Sequence, residues 1–259
     1  MIWLKHRRVV FFLGRYTRYS RQLILTRADG FVCISEELAR RYRDNHVPIV
    51  TIGNGFDLRE VEPREPAANA RPKAIFVGSD GQVWHGVDKL VDLADRLPNF
   101  EFHVVGIRMT EARPNVIAHG VLDWAQLHTL YSQMDVGIGT LALHRNGMSE
   151  ASPLKTREYL AHGLPVIGAY SDTDLNGCSF YLRLENSEGG VAASVASIEA
   201  FVAKWRGVPL DRHRVEALIG AVGKEKRRLE FFRVIVNGKK LAKEGAAVFR
   251  DGKDRPSKR

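Results

Sequence analysis

The sequence SEASPLKTREYLAHGLPVI (residues 149–167) predicts a short helix that leads directly into a strand. Ser152 followed by Pro153 is typical of an N-cap with proline at the first helical position. Gly163 is typical of the residue that ends a helix, and Leu164-Pro165-Val166-Ile167 then predicts a strand. A helix joined to a strand in this way is one unit of an α/β fold.

The spacing within this helix places a carboxylate among apolar residues. Leu154, Glu158 and Ala161 follow i, i+4, i+7 spacing, so we expect them on one face of the helix. An inward carboxylate is costly unless hydrogen-bond donors reach it, and a ribose diol supplies two such donors. An ion pair of Glu158 with Lys155 or Arg157 is the structural alternative. The spacing alone leaves both interpretations open.

Strand-like and helix-like segments alternate on both sides of this stretch. The predicted strands are at 29–35, 48–55, 73–78, 100–106, 115–120, 135–141 and 165–170. The predicted helices are at 36–43, 87–97, 123–134 and 197–205, and Asp123 is a candidate cap. This succession predicts a doubly wound, mostly parallel sheet, which binds ligands outside the carboxyl ends of its strands.

The charge of the chain is concentrated at its two ends. The 259 residues carry a formal charge of +9, of which residues 1–27 contribute +7 and residues 224–259 contribute +8, while the middle carries −6. Such ends favour an anionic surface, and peripheral contact with the inner face of a membrane or with a partner protein stays open. No recognised nucleic-acid motif accompanies the charge, so we expect no nucleic acid. The apolar run VVFFLG is too short for a membrane span.

Few residues suit disulfide or metal chemistry. Cys33 and Cys178 are far apart in the sequence, which predicts a reducing, cytoplasmic compartment without a disulfide framework. Asp172 and Asp174 have the spacing by which an aspartate pair can hold a divalent metal. Two aspartates after a strand are more often turn and capping residues, so we expect no metal site here.

With these segments in order, the chain resembles the family-4-type retaining glycosyltransferases of the GT-B fold. The resemblance covers about residues 28 to 235. It rests on Glu150-x7-Glu158, on FVGSDGQVWHGVDKL (76–90) and on HGVLDWAQLHTLYSQMDVGIGTL (119–141), with support from ADGFVCISEEL (28–38) and VTIGNGFD (50–57). It implies transfer of a sugar from a UDP- or GDP-linked donor to a glycan or lipid-linked acceptor hydroxyl, with anomeric configuration retained. It implies no cofactor and no metal ion, because a cationic site can stabilise the leaving diphosphate.

The resemblance also implies a role for each matching position. Glu158 matches the glutamate that binds the ribose hydroxyls, and Glu150 matches the glutamate near the donor sugar. The backbone N–H groups from Ser152 to Lys155 match a helix N-terminus that faces the diphosphate. The catalytic candidates are Glu150 and Lys155. The donor-binding candidates are Gly78, Ser79 and His85 of the glycine loop, Val121 and Leu122 for the nucleobase, and Arg145, Ser152, Pro153, Leu154 and Glu158.

The chain departs from the family at the phosphate site. Members commonly supply an arginine and a lysine from the glycine loop and the helix after it, where this chain has Ser79 and His85. His85 is then the only candidate cation in this loop, and Lys155 and Arg145 are the candidate substitutes.

A second departure concerns the first domain, of which only the last portion has a counterpart. We predict a remnant of the acceptor domain at 1–56, a linker at 57–72, a nucleotide-sugar-binding domain at 73–210, a helix at 211–236 and a flexible basic tail at 237–259. The chain is then a glycosyltransferase or its donor-binding part, in glycan or polysaccharide biosynthesis. The alternative is a non-catalytic nucleotide-sugar-binding or assembly subunit that needs a partner chain.

Overall fold

The computed structural model describes residues 23–62, 65, 69–110 and 112–251. The two outermost stretches of the basic ends, on which the predictions of membrane or partner contact partly rest, lie outside the described residues. The first described residues, 23–27, are helical. A small N-terminal unit follows, which contains β1 (Phe31–Cys33), α1 (Glu36–Arg40) and β2 (Ile49–Thr51), with β1 and β2 paired in parallel.

A six-stranded parallel sheet forms the centre of the molecule. Its strands are β3 (Lys73–Val77), β4 (Glu101–Val105), β5 (Val116–Gly120), β6 (Val136–Ile138), β8 (Val166–Gly168) and β10 (Tyr181–Arg183). Two short strands, β7 (Glu150–Ala151) and β9 (Ser171–Asp172), pair with each other outside it. The order across the sheet is β10-β8-β6-β3-β4-β5. The order reverses at β3, so the edge above β3 and β6 is the topological switch point at which such sheets bind ligands.

Helices pack on both faces of this sheet. They are α2 (Val87–Arg96), α3 (Trp124–Tyr131), α4 (Leu154–Ala161), α5 (Gly190–Ala193), α6 (Val195–Trp205), α7 (Arg212–Ile219) and α8 (Ala221–Asp251). Phe76 lies in the hydrophobic cluster that includes residues of α2 and α6, whereas its neighbour Ile75 lies in the cluster that includes α3 and α4. Adjacent residues of β3 therefore pack into the hydrophobic clusters on opposite faces of the sheet, as expected for a strand buried on both faces. The predicted doubly wound, mostly parallel α/β fold is confirmed.

Local sequence signals account for several helix ends. Asp123 caps α3, because its side chain accepts a hydrogen bond from the N–H of Gln126 at 2.9 Å while the Gln126 side chain accepts one from the N–H of Asp123 at 3.0 Å. Gly163 follows α4 with a φ of +79°, which favours glycine. The N–H of Leu164 then donates to the carbonyl of Tyr159 at 2.9 Å, which completes the helix end.

The C-terminal part differs from the single helix predicted over 211–236. The chain ends α7 at Ile219 and starts α8 at Ala221, because Phe56 forms a parallel bridge with Gly220 between them. α8 then continues through Asp251, past the predicted end at residue 236. Of the helices in the described ranges, none combines the length and the apolar character that a bilayer crossing needs.

Candidate functional site

A cleft of about 680 Å³ opens at the carboxyl ends of β3 and β6, next to the first turn of α4. Its walls come from the loop after β3, from the segment between β6 and α4, and from the N-terminal unit. The sequence candidates that line it are Gly78, Ser79, His85, Ser152, Pro153, Leu154 and Lys155. Trp84 of the loop after β3 lines it as well. The structure therefore brings the predicted glycine loop and the predicted helix start together.

Two glycines hold the loop after β3 close to the sheet. The N–H of Gly78 donates to the carbonyl of Val105 at 3.0 Å. A Cβ atom on Gly78 would lie 2.8 Å from Nδ1 of His85, and one on Gly106, whose φ is +74°, would overlap the carbonyl oxygen of Gly78. Glycine avoids these contacts at both positions. The loop backbone can therefore lie close to the sheet and leave the cleft open to a ligand.

Lys155 places an amine at the cleft without a carboxylate partner. Its Nζ donates to the carbonyl of Val77 at 3.2 Å and lies 4.0 Å from the centre of the Phe76 ring. Among the described residues, no Asp or Glu forms an ion pair with it. Burial lowers the pKa of Lys155 to about 7. An anion in the cleft would favour the protonated amine and raise that pKa again.

His85 does not supply a second cation at neutral pH. Its Nδ1 is buried and has no hydrogen-bond partner. Burial, and then the nearby charge of Lys155, lower the pKa of His85 to about 4. The ring is therefore a neutral group beside Gly78, and the prediction of a cation here does not agree with its surroundings.

Arg145 is engaged elsewhere. Its Nη1 lies 2.7 Å from Oδ1 of Asp88 and its Nε lies 2.8 Å from Oε1 of Glu188. Arg145 is not among the residues that line the cleft. Two carboxylates already satisfy its guanidinium, so the geometry contradicts the expectation that it replaces a phosphate-binding residue.

The start of α4 is built differently from the prediction. Pro153 rather than Ser152 is the N-cap, and no side chain caps the helix. The hydroxyl of Ser152 instead accepts a hydrogen bond from the N–H of Asn54 at 2.7 Å. The first N–H groups of α4 therefore keep no side-chain partner at the cleft. A helix N-terminus of this kind favours anions.

Glu158 lies one turn further along α4 from the cleft residues Leu154 and Lys155. The Leu154 side chain is 63% exposed, so the predicted buried face that it shares with Glu158 is wrong. Oε1 of Glu158 is buried without a hydrogen-bond partner, as is the hydroxyl of Tyr131. Burial raises the pKa of Glu158, and the nearby Tyr131 hydroxyl offsets part of that rise.

The structural alternative for Glu158, an ion pair within α4, is excluded. Arg157 points into the protein, where its guanidinium binds Asp172 and Asp174, and Lys155 donates to a backbone carbonyl. Glu158 is therefore a carboxylate with unused hydrogen-bonding capacity close to the cleft.

Glu150 does not line the cleft, although its neighbour Ala151 does. The Glu150 carboxylate is 9% exposed and accepts hydrogen bonds from the N–H groups of Glu36 at 3.1 Å and Glu37 at 2.9 Å. These groups begin α1 of the N-terminal unit. The Glu150 carboxylate, which was predicted to lie near a donor sugar, thus binds backbone N–H groups of the protein itself.

The predicted nucleobase residues also lie outside the cleft. Val121 and Leu122 follow β5, which is the edge strand of the sheet. Val121 is 90% exposed, and Leu122 lines a separate groove of about 520 Å³ beside α3. The strand end is where the sequence placed it, but no contact with the cleft is formed.

Asp172 and Asp174 serve a buried joint, here called the Arg157 joint. Arg157 binds both carboxylates and donates from Nε to the carbonyl of Asn54 at 3.2 Å, and Lys224 of α8 binds Asp174 at 2.6 Å. In the part of the chain that the structure describes, no three His, Cys, Asp or Glu side chains are placed to hold a metal ion.

Several cleft residues were not predicted from the sequence, and two of them come from the N-terminal unit. Ile34 and Asn54 reach the cleft from within the segments ADGFVCISEEL and VTIGNGFD, just after their strands. Both segments support the resemblance described above, and this was the indication in the sequence that part of each segment lies near a site. Neither residue type indicates a site by itself.

The chain matches no protein-family model and no curated protein sequence. It is similar to solved structures. These include sucrose-phosphate synthase from Thermosynechococcus elongatus (TM-score 0.61, 19% identity, 84% of this chain and 61% of that one) and a glycosyltransferase from Rickettsia africae ESF-5 (0.61, 15%, 79% and 63%). TarM of S. aureus in complex with Fondaparinux, alpha-GlcNAc-glycerol and UDP also matches (0.57, 13%, 83% and 46%). The chain thus spans about half to two thirds of these proteins, and over that length it has the α/β fold of GT-B glycosyltransferases.

Proposed function

We propose that this chain is a retaining glycosyltransferase, or the donor-binding part of one, that takes a sugar from a UDP- or GDP-linked donor. The acceptor in this proposal is a hydroxyl of a glycan or lipid-linked molecule, in glycan or polysaccharide biosynthesis. The observation that carries the proposal is a pair of side chains one turn apart on α4. Lys155 is an amine without a carboxylate partner among the described residues, and Glu158 has a buried carboxylate oxygen without a donor.

These two groups suit the two ends of a nucleoside diphosphate. Lys155 and the uncapped first turn of α4 would stabilise the negative charge that develops on the leaving diphosphate. Glu158 would accept hydrogen bonds from the ribose hydroxyls, which supply the donors that it lacks. Metal-free transfer belongs to the same proposal, because the protein offers its own cationic group at the phosphates.

The second candidate is a non-catalytic nucleotide-sugar-binding or assembly subunit that needs a partner chain for activity. One observation favours it. Among the described residues that line the cleft, none carries a carboxylate, and the Glu150 carboxylate is bound to α1. A group that acts on the donor sugar or the acceptor would then come from elsewhere.

Calorimetric titration with UDP, GDP and ADP tests the proposed site. We expect one nucleotide to bind at micromolar concentration, and Glu158→Ala to weaken it about 10- to 100-fold, the range for a lost hydrogen bond to a charged group. Glu199→Ala, at an exposed position of α6, is the matched control. Equal affinity of the Glu158 variant and the control would contradict the assignment. Donor hydrolysis or transfer by the purified chain then separates the transferase from the binding subunit.

A further inference from the structure

We propose that Glu37 and Glu150 form a reciprocal clamp that holds the N-terminal unit over the cleft, and that Glu37 is a positioning residue for the ligand. The glutamate clamp is defined as these two carboxylates together with the N–H groups that they bind. The inference rests on the proposed function of the cleft. It assigns Glu150 to the architecture of the site instead of direct contact with a sugar.

Glu150 forms one half of the clamp. Its Oε1 accepts from the N–H of Glu36 and its Oε2 from the N–H of Glu37, at 3.1 and 2.9 Å, and the hydroxyl oxygen of Thr173 lies 3.3 Å from Oε1. Both carboxylate oxygens are therefore in use. A carboxylate is a strong acceptor for the free N–H groups of a helix start, so this contact fixes α1 to β7.

Glu37 forms the other half in the opposite direction. A single oxygen, Oε2, accepts from the N–H of Ser149 at 2.7 Å, from the hydroxyl of Ser149 at 3.0 Å and from the N–H of Glu150 at 2.8 Å. Burial raises the pKa of Glu37, but these hydrogen bonds outweigh burial and lower it overall, so the carboxylate stays charged. The two acids approach each other without strong repulsion because N–H donors lie between them.

The clamp connects opposite walls of the cleft. Ile34 precedes α1 by two residues and lines one wall, while Ala151 and Ser152 directly follow Glu150 and line the other. The hydroxyl of Thr173 donates to the carbonyl of Ile34 at 2.9 Å, which ties the same turn to the clamp. Release of either glutamate would let the wall that carries Ile34 move away from the wall next to α4.

The two halves of the clamp should respond differently when the glutamate is replaced by glutamine. Glu37 uses Oε2 alone for the three hydrogen bonds of the clamp, and the carbonyl oxygen of a glutamine can accept all three. Its Oε1 accepts from the exposed Arg41 at 3.4 Å, outside the clamp, so Glu37→Gln loses only this surface contact. Glu150 uses both oxygens, so Glu150→Gln would place an NH2 group against an N–H group. We expect Glu37→Gln to keep nucleotide affinity within about threefold and Glu37→Ala to lose about tenfold, while Glu150→Gln behaves like Glu37→Ala.

The test combines calorimetry with UDP, GDP and ADP and amide hydrogen exchange on the full chain, well below the melting temperature. Faster exchange at residues 34–40 and 148–152 in Glu37→Ala and Glu150→Gln, with weaker nucleotide binding and rescue in Glu37→Gln, supports the clamp. Glu36→Ala is the matched control, because the Glu36 side chain is 55% exposed and only approaches Arg43, at 3.8 Å.

Four results overturn the inference. The first three are unchanged hydrogen exchange in both segments, an equal loss of nucleotide affinity in Glu37→Gln and Glu37→Ala, and a loss in Glu36→Ala as large as in Glu37→Ala. A variant that melts earlier but binds nucleotide as the natural chain does at low temperature would show a role in stability alone, which also overturns it. If the natural chain binds none of the three nucleotides, the proposed function fails. The exchange measurement still supports or overturns the clamp in that case.

Discussion

Lys155 combines two properties that conflict in the free protein. Its amine is charged at low pH, yet it packs against Val77 and Phe76, and no carboxylate of the part of the chain that the structure describes pairs with it. A buried cation without a partner costs stability, and a bound phosphate would remove that cost. The same residue therefore connects ligand affinity, fold stability and pH.

Nucleotide affinity should fall as pH rises above 7. The pKa of free Lys155 is about 7, and only the protonated amine attracts phosphate strongly. We expect the Kd to rise toward about tenfold per pH unit above that value, and to level off below it. Calorimetry at several pH values between about 6 and 9 measures this dependence. His85 does not titrate in the window, because its pKa is about 4. A flat profile would contradict the role of Lys155.

Lys155→Met should weaken nucleotide binding at least tenfold and make the free protein more stable. The folded state lowers the pKa of this lysine, so the unfolded state binds more protons between about pH 7 and pH 10, and unfolding free energy rises with pH in that window. Removing the amine removes this penalty at pH 7. Urea unfolding at pH 7 and pH 9 checks the change, with Lys204→Met at an exposed position of α6 as control. Lower stability of Lys155→Met would contradict it.

Single residues were predictable from the sequence where their surroundings are local. The helix that carries Lys155 and Glu158 and the glycine at 78 were placed correctly at one cleft or next to it. Glu150 and Arg145 were not, because their partners are distant in sequence. Glu37 precedes Glu150 by 113 residues, and Glu188 follows Arg145 by 43. Seven-residue spacing describes a motif, but it contains no information about which distant N–H groups reach its first carboxylate.

At the scale of elements, helix ends were predicted correctly where the bonding partners are close in sequence and wrongly where they are distant. The capping box of α3 and the glycine after α4 use residues within five positions, so the sequence contains them in full. Ser152 has the sequence context of a cap, but its hydroxyl accepts a hydrogen bond from the N–H of Asn54, 98 residues away, instead of capping α4. Strand β10, Tyr181–Arg183, was not predicted, although β1 and β8 are equally short, because it ends in the exposed Arg183 and its segment lacks a continuous buried apolar run.

Removing the α3 cap should change stability without changing the cleft. We expect Asp123→Ala to lower the free energy of unfolding by about 1 kcal/mol, since it leaves the N–H of Gln126 without its acceptor. Nucleotide affinity should stay the same, because α3 contributes no residue to the cleft lining. Chemical denaturation and calorimetry check the two statements. Gln133→Ala, at an exposed position just beyond the other end of the same helix, serves as the control.

At the scale of the whole molecule, the Arg157 joint connects four parts of the chain. The guanidinium is fully buried and joins α4 to the turn at Asp172 and Asp174 and to the end of the N-terminal unit at Asn54, and Lys224 adds α8. A buried charge network fixes geometry more than it adds stability, but loss of one member leaves the others unpaired.

Arg157→Met should therefore lower the free energy of unfolding by about 3–5 kcal/mol. In the natural chain we expect the N-terminal unit and the sheet to unfold together, with coincident transitions from different probes. In the variant the N-terminal unit should separate first, seen as early hydrogen exchange at 31–40 ahead of loss of tryptophan fluorescence. Arg183→Met, at a half-exposed to exposed strand end, serves as the control. Coincident transitions in Arg157→Met would contradict a joint that couples these parts.

The joint also orders events during synthesis of the protein. The N-terminal unit leaves the ribosome before the sheet, and all six strands of the sheet have been made once Arg183 is added. α8 is made only afterwards, so Lys224 reaches Asp174 when the sheet is already complete. Arg227 and Arg228 of α8, which donate to the carbonyls of Thr51 and Gly53, also arrive at that stage, so the N-terminal unit gains these hydrogen bonds after the sheet that follows it in the sequence. A nascent chain halted before α8 would carry a finished sheet beside an N-terminal unit still held by fewer bonds.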